Sequence, residues 1–187
     1  MRPVDVIIPT LSLERAVETI RLAADSAFHP DVRWLPVVDE HRGGFTETVN
    51  RGLSQVRSDC DIFLLNDDVY RFQAGWLRIL QDILYLNPRN GLVGPTGRCS
   101  SLPGKGRQGE YGLRLVPNLS FWATLIRREV FNALGPLDVR YKHYNSDNVY
   151  CRAAAERGWH SVWAKSVYLW HTHHGSGVQS KWKKHDR

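Results

Sequence analysis

Residues 61–70 read Asp61-Ile62-Phe63-Leu64-Leu65-Asn66-Asp67-Asp68-Val69-Tyr70, DIFLLNDDVY. The run from Ile62 to Leu65 is short, apolar throughout and partly β-branched or aromatic, which predicts a strand buried on both faces. Asn66, Asp67 and Asp68 stand where that strand ends. In an open α/β sheet, ligands bind in the crevice beyond the carboxyl ends of the strands. Two adjacent carboxylates there repel each other unless something positive lies between them. A divalent cation carrying substrate phosphates meets that need. The structural alternative is that Asp67 and Asp68 only form a turn, or cap a helix starting near Ala74. The stretch alone does not choose between the two.

Upstream, Val4 to Ile8 predicts a buried strand ended by Pro9-Thr10, because proline cannot donate to a ladder. Leu13, Ala16, Val17, Ile20, Ala23, Ala24 and Ala27 recur at helical spacing, with Ser12 as N-cap. Residues 34–38 predict a second strand running into Asp39-Glu40, followed by the flexible turn His41-Arg42-Gly43-Gly44. A second helix is expected over 46–56. Downstream, a third helix is expected over 75–87, and a short fourth strand over 91–94 that Pro95 stops. Strand and helix thus alternate over the first ninety-odd residues. That order implies a mostly parallel sheet covered on both faces, with polar residues (Thr10, Asp39 and Asn66-Asp67-Asp68) at the strand ends. No glycine-rich dinucleotide fingerprint follows the first strand, and no GxxxxGK[ST] phosphate loop is present.

The second half changes character. Residues 96–114 are rich in glycine and carry Arg98, Lys105, Arg107 and Arg114, which reads as a basic loop of the kind that forms lids, or as plain surface disorder. Residues 119–126 predict a strand, and 128–134 a short helix ended by Gly135-Pro136. Residues 146–157 predict a helix with Ser146 as N-cap and Gly158 as C-cap. Residues 159–169 predict a last strand, followed by the turn Trp170-His171-Thr172-His173-His174-Gly175.

The 187 residues fit a single domain. No apolar run approaches the roughly 18 residues of a membrane span. Met1-Arg2-Pro3 leads directly into a strand, so no signal peptide is expected. Cys60, Cys99 and Cys151 are odd in number and far apart, which fits neither a disulfide framework nor a zinc knuckle and suggests a reducing, cytoplasmic setting. The net charge is +6, and arginine outnumbers lysine 19 to 6, a bias that suits phosphate and carboxylate recognition. Residues 181–187 hold four basic residues and one acid, which reads as a solvated terminus or as peripheral contact with an anionic membrane surface. Nucleic acid is not an expected partner.

The order of these motifs resembles family 2 glycosyltransferases of the GT-A fold, particularly compact rhamnosyltransferase-like members. VDVIIPT is similar to the family's first strand, VVDEHRGG to its second strand and acidic turn, and GFTETVNRGL to a helix that usually carries an Asn and a Gly. DIFLLNDDV resembles the Asp-x-Asp region. SFWATLIRREVFNALGPLD followed by YNSDNVYCRAAAERGW resembles the acceptor-side segment, and VYLWHTHHGSG the closing His-containing strand. The resemblance covers about residues 4–177. It implies an α/β GT-A fold as one domain over 1–180, with a nucleotide-sugar half (1–95), an acceptor half (96–180) and a basic tail (181–187).

Position by position, the resemblance implies that Thr10 and Asp39 hold the nucleotide base, and that Asn50, or Arg51 beside it, lies near the nucleotide. Asp67 would contact ribose or sugar. Asp68 would bind Mg²⁺ or Mn²⁺ bridging the diphosphate, with His171 completing that site or touching the diphosphate. Asp147 would be the general base. Asn66 stands where a strict Asp-x-Asp pattern has its first acid, and Ser146 where many members have Glu.

The implied activity is inverting, metal-assisted transfer of a sugar from a nucleoside-diphosphate sugar to the hydroxyl of a saccharide or other acceptor. Such transfer needs stabilisation of the leaving diphosphate, a base for the acceptor proton, and in-line geometry. Each residue has a plainer reading. Asp147 suits the positive end of a helix, His171 a satisfied core, Asn50 a helix surface, and Trp122, Trp159, Trp163 and Trp170 core packing rather than sugar stacking. The alternative for the whole chain is a non-catalytic nucleotide- or carbohydrate-binding module on the same scaffold.

Overall fold

A computed structural model describes residues 1–99 and 112–172. Eight strands form one sheet in the order β2-β1-β3-β7-β5-β8-β4, with β6 also paired to β8. The elements in chain order are β1 (Val4–Thr10), α1 (Leu13–Ala27), β2 (Val32–Val38), α2 (Phe45–Leu53), β3 (Asp61–Leu65), β4 (Val69–Phe72), α3 (Trp76–Leu86), β5 (Asn90–Cys99), β6 (Leu113–Val116), β7 (Ala123–Ile126), α4 (Arg128–Leu134), α5 (Ser146–Glu156) and β8 (His160–His171). β1, β2, β3, β5 and β8 share one direction, while β4, β6 and β7 run against them. This is the mostly parallel α/β sheet expected from the alternation of elements.

The sheet is buried on both faces because consecutive residues of its central strands, Val6 to Ile8 in β1 and Ile62 to Leu65 in β3, are apolar. Along β3, Phe63 and Leu65 face a core with Trp76, Leu77, Leu80 and Leu84 of α3, whereas Ile62 and Leu64 face a second core with Val49 and Leu53 of α2, Val130 of α4 and Ala154 of α5. Trp76 anchors the first layer. Its ring meets Phe63 edge to face at 5.0 Å, and its Nε1–H donates to the Ala23 carbonyl at 3.2 Å. In the second layer Gly52 lets α2 sit close on β1, since a Cβ there would stand 2.5 Å from Ile7 Cγ2. Gly52→Ala is expected to cost about 1–3 kcal/mol through overpacking, read as a lower urea midpoint at unchanged slope.

Several local expectations are corrected. β1 does not stop at Pro9 but continues to Thr10. Its pairing with β3 ends at Ile7↔Leu64, so the missing N–H of Pro9 faces no partner strand on that side. β5 runs through Pro95 to Cys99, with a register irregularity between Pro95 and Thr96 absorbing the proline. β7 begins at Ala123 rather than at 119. Ser146 is the first residue of α5; Asn145, at φ +66 and without a side-chain cap bond, holds the N-cap position. Arg157 holds the C-cap position of α5, and Gly158, expected there, follows it at φ +84, where glycine turns the chain out of the helix; Cys60 and Cys151 are buried free thiols. Leu113 to Val116, half of it inside the stretch read as a loop, forms edge strand β6; residues 100–111 and 173–187 lie outside the described residues.

At the amino-terminal edge of the sheet, two fully buried acids tie the layers together. Asp5 accepts from the Arg33 guanidinium, the Arg57 backbone N–H at 2.8 Å and Arg57 Nε at 2.8 Å. Burial pushes its carboxyl up, but these donors outweigh burial and hold it below the ordinary carboxylate range. A depressed carboxyl contributes stability that is complete above the unfolded-state pKa of about 4 and is lost as pH falls through the lower folded-state value. Asp5→Asn is therefore expected to flatten the acid limb of the stability curve below about pH 4, measured by urea unfolding across pH.

Candidate functional site

The carboxyl ends of β1, β2, β3 and β8 lie at the opposite edge, where Thr10, Asp39, Asp67, Asp68 and His171 stand at or next to strand ends. The three residues that join β3 to β4 are Asn66-Asp67-Asp68, so the acidic pair lies where the chain leaves β3, which pairs with β1 and β7, and crosses to β4, which pairs with β8. Asp67 is held from three directions. Its Oδ2 accepts from the Thr10 hydroxyl, its Oδ1 pairs with Arg15 at 3.0 Å, and its carbonyl accepts from Thr19 Oγ1 at 3.0 Å. Thr10 Oγ1 also accepts the Ser12 N–H at 2.9 Å, which fixes its rotamer beside the start of α1. Each carboxylate oxygen of Asp67 keeps lone-pair capacity for a further donor, such as a ribose or sugar hydroxyl.

Arg15 was not among the expected site residues. It lies in the first turn of α1, behind the N-cap Ser12. A cation at the positive end of a helix is unfavourable unless an anion answers it, and that misplacement was the available signal.

Asp68 and His171 are joined through the sheet. Val69 pairs with His171 across β4 and β8, and the Thr172 N–H donates to the Asp68 carbonyl at 3.2 Å. His171 is 5% exposed, and its imidazole stacks on Trp122. Among the described residues no group of three or more His, Cys, Asp or Glu side chains is arranged to hold a metal ion. One carboxylate and one imidazole would leave most positions of a hard cation to other oxygens, as expected for an ion that shares a diphosphate with the protein.

Asp39 closes the β2 end. Its backbone N–H donates to the Thr10 carbonyl at 2.8 Å, and its carboxylate accepts the N–H groups of Gly43 and Gly44 at 2.8 and 2.9 Å. The carboxylate thus folds the HRGG turn around itself at the lip of the site. Gly44 adopts φ +96, which is open to glycine.

Asn50 is not brought into this group. Its side-chain amide makes a reciprocal pair with Leu137, donating to the carbonyl at 2.8 Å and accepting the N–H at 2.9 Å, which ties α2 to the turn after α4. Arg51 instead reaches the end of β2, donating to the Val38 carbonyl beside Asp39.

Asp147 lies in the first turn of α5, where its Oδ1 accepts the Asn148 N–H at 2.8 Å. α5 is about 16 Å long and leads into the start of β8, so its first turn points back to the carboxyl edge. One helical turn along the same side, Tyr150 packs on Phe121 with ring centroids 5.8 Å apart, next in sequence to Trp122.

The mixed sheet covered by helices on both faces is that of the GT-A fold. Two solved structures share it. GalNAc-T7 with UDP, GalNAc and Mn²⁺ aligns at TM-score 0.72 and 11% identity over 95% of this chain and 45% of its own. The mannosyltransferase PcManGT from Pyrobaculum calidifontis, in complex with GDP-Man and Mn²⁺, aligns at TM-score 0.72 and 15% identity over 96% of this chain and 59% of its own. The chain therefore spans about half the length of these neighbours. No protein-family model matches the sequence, and no curated protein matches it. No helix among the described residues is long and apolar enough to cross a membrane.

Proposed function

We propose that the chain transfers a sugar, with inversion, from a nucleoside-diphosphate sugar to an acceptor hydroxyl, in the manner of a compact family 2 glycosyltransferase. The observation that carries this reading is the gathering of Thr10, Arg15, Asp67, Asp68 and His171 at the carboxyl edge of a GT-A sheet. In this reading Asp39, with Arg51 beside it, recognises the base at the β2 lip. Asp67, oriented by Thr10 and Arg15, accepts hydroxyl protons of the ribose or sugar. Asn50 contributes by fixing the turn at Leu137 rather than by touching the nucleotide.

Asp68 and His171 fit as the protein's share of a Mn²⁺ or Mg²⁺ site. When bound, that ion neutralises charge on the diphosphate. Asp147 takes the proton of the acceptor O–H as the acceptor oxygen bonds to the anomeric carbon from the face opposite the diphosphate. The bond from that carbon to the diphosphate oxygen breaks, and its electron pair leaves with the diphosphate. One displacement with one base inverts the anomeric centre.

The acceptor is a saccharide or another hydroxyl compound. The reading includes a cytoplasmic location with peripheral membrane contact through residues 181–187, supported by their basic composition.

The test is a panel of UDP-, GDP- and dTDP-sugars with Mn²⁺, assayed for diphosphate release with and without simple saccharide acceptors. Release from one donor is the expected result. Nucleotide binding without release from any donor would make the chain a non-catalytic binding module instead. Arg15→Gln is expected to raise the donor KM about fivefold, with a smaller change in kcat. A charge-assisted hydrogen bond contributes about 1.5–3 kcal/mol, and solvent around the half-exposed Arg15 reduces that figure. Steady-state kinetics on the reactive donor checks this, and an unchanged KM would remove Arg15 from the site.

A further inference from the structure

Trp122 has no role in the reading above, yet it touches both halves of the site. It immediately precedes β7, and its carbonyl accepts the Asn66 N–H at 2.8 Å, so its backbone anchors the start of the acidic turn. Its indole lies flat on the imidazole of His171, with ring centroids 4.3 Å apart and planes 16° apart. In the cores, Phe63–Trp76 and Phe121–Tyr150 meet edge to face at 71° and Phe72–Trp76 is tilted at 42°. Gly97 of β5 makes the flat arrangement possible. A Cβ at that position would stand 2.8 Å from Trp122 Cζ2 and 3.3 Å from His171 Nε2.

We propose that Trp122 is a positioning residue, a slab that fixes the plane of the His171 ring so that its nitrogen lone pair stays directed at the ion held with Asp68. A ring-nitrogen lone pair lies in the ring plane, so the ring's orientation decides where it points. The imidazole cannot turn about its Cβ–Cγ bond without driving its edge into the indole. Groups that orient a metal-binding histidine commonly change metal affinity 10–100-fold when removed. A stacked ring restrains the plane where more usually a hydrogen bond does. The carbonyl bond to Asn66 makes the same residue set the start of the turn that carries Asp68, so one side chain and its backbone hold the two ligands in register.

This inference rests on the reading of Asp68 and His171 as the metal pair. The experiment is a Mn²⁺ titration of the full chain, alone and with UDP or GDP, following free Mn²⁺ by electron paramagnetic resonance. Thermal unfolding is recorded for every variant. The wild type is expected to bind Mn²⁺, and His171→Ala to lose most of that affinity. Trp122→Leu is expected to lower it about 10–100-fold while still unfolding cooperatively, and Trp122→Phe, which keeps a flat ring, to recover most of it.

Gly97→Ala is the second variant, for use if Trp122→Leu does not fold; its Cβ would stand 2.8 Å from the indole and 3.3 Å from His171 Nε2, so it should weaken Mn²⁺ binding by disturbing the stacked pair, the indole first. If His171→Ala loses Mn²⁺ but folded Trp122→Leu and Gly97→Ala bind it like the wild type, Trp122 is merely structural and the inference alone is overturned. If the wild type binds no Mn²⁺, or His171→Ala binds it unchanged while Asp68→Asn does not, the underlying metal assignment fails.

Discussion

Asp147→Asn is expected to lower kcat for transfer by about 10²–10⁴-fold, while the affinity for nucleotide and the donor KM stay near wild type. The substitution is nearly isosteric and keeps an oxygen to accept the Asn148 N–H that Asp147 now accepts at 2.8 Å. What it removes is a base for the acceptor proton. The plainer role of Asp147, an acid complementing the positive end of α5, predicts something different in kind and size. Loss of a dipole partner costs about 0.3–1 kcal/mol of stability and leaves turnover per folded molecule unchanged. Single-turnover kinetics with the reactive donor, together with nucleotide titration and thermal unfolding, separates the two. A stability change without a kcat change would assign Asp147 to the helix alone. A parallel loss of kcat and nucleotide affinity would also remove it from the role of base.

The second large effect lies at the other edge of the sheet. Asp61→Ala is expected to cost about 3–5 kcal/mol, a large part of the roughly 5–15 kcal/mol that holds a domain folded. Asp61 is fully buried at the first position of β3. Its carboxylate accepts the Arg128 backbone N–H at 3.1 Å, Gln81 Nε2 at 3.0 Å and the Tyr85 hydroxyl at 3.0 Å, with Arg2 3.6 Å away. Burial, together with the negative charge of Asp61, pushes the Tyr85 hydroxyl above its ordinary range, so Tyr85 remains a donor. Truncation strands the buried Gln81 amide and Arg128 N–H, while Asp61→Asn keeps an acceptor for one of them and should cost less. Urea unfolding of the two variants checks the order. Equal and small losses would mean that water replaces the carboxylate.

The contrast between the two ends of β3 shows what can be read locally. Ile62 to Leu65 predicted a strand buried on both faces, and it packs α3 with one alternate set and α2, α4 and α5 with the other. The helices announced themselves by apolar spacing, and α1 also by its cap Ser12, whose hydroxyl accepts the Arg15 N–H, whereas the cap read at Ser146 fell one residue late. The acidic turn, Asp39 and Thr10 were legible because each punctuates the end of an apolar run. Less legible was anything set by partners remote in the chain. β4 and β6 are four residues each, with exposed positions and no persuasive alternation; they exist because β8 is long enough to pair with both along one side. β5 extends past Pro95 for the same reason, since β8 continues beside it to His171.

The amino-acid sequence by itself determined the alternation of strand and helix, the two-faced core, and the residue types at the carboxyl edge. Those follow from periodicity and from the behaviour of proline, glycine and carboxylates over a few neighbouring residues. Only the tertiary structure decided how those residues are used. It spent Asn50 on Leu137, gave Arg15 to Asp67, drew Asp68 and His171 together across β4 and β8, and laid Trp122 on His171 in the space left by Gly97. The reason is physical: partners such as Arg15 and Asp67, 52 residues apart, are selected by strand register and close packing, which a local pattern does not encode.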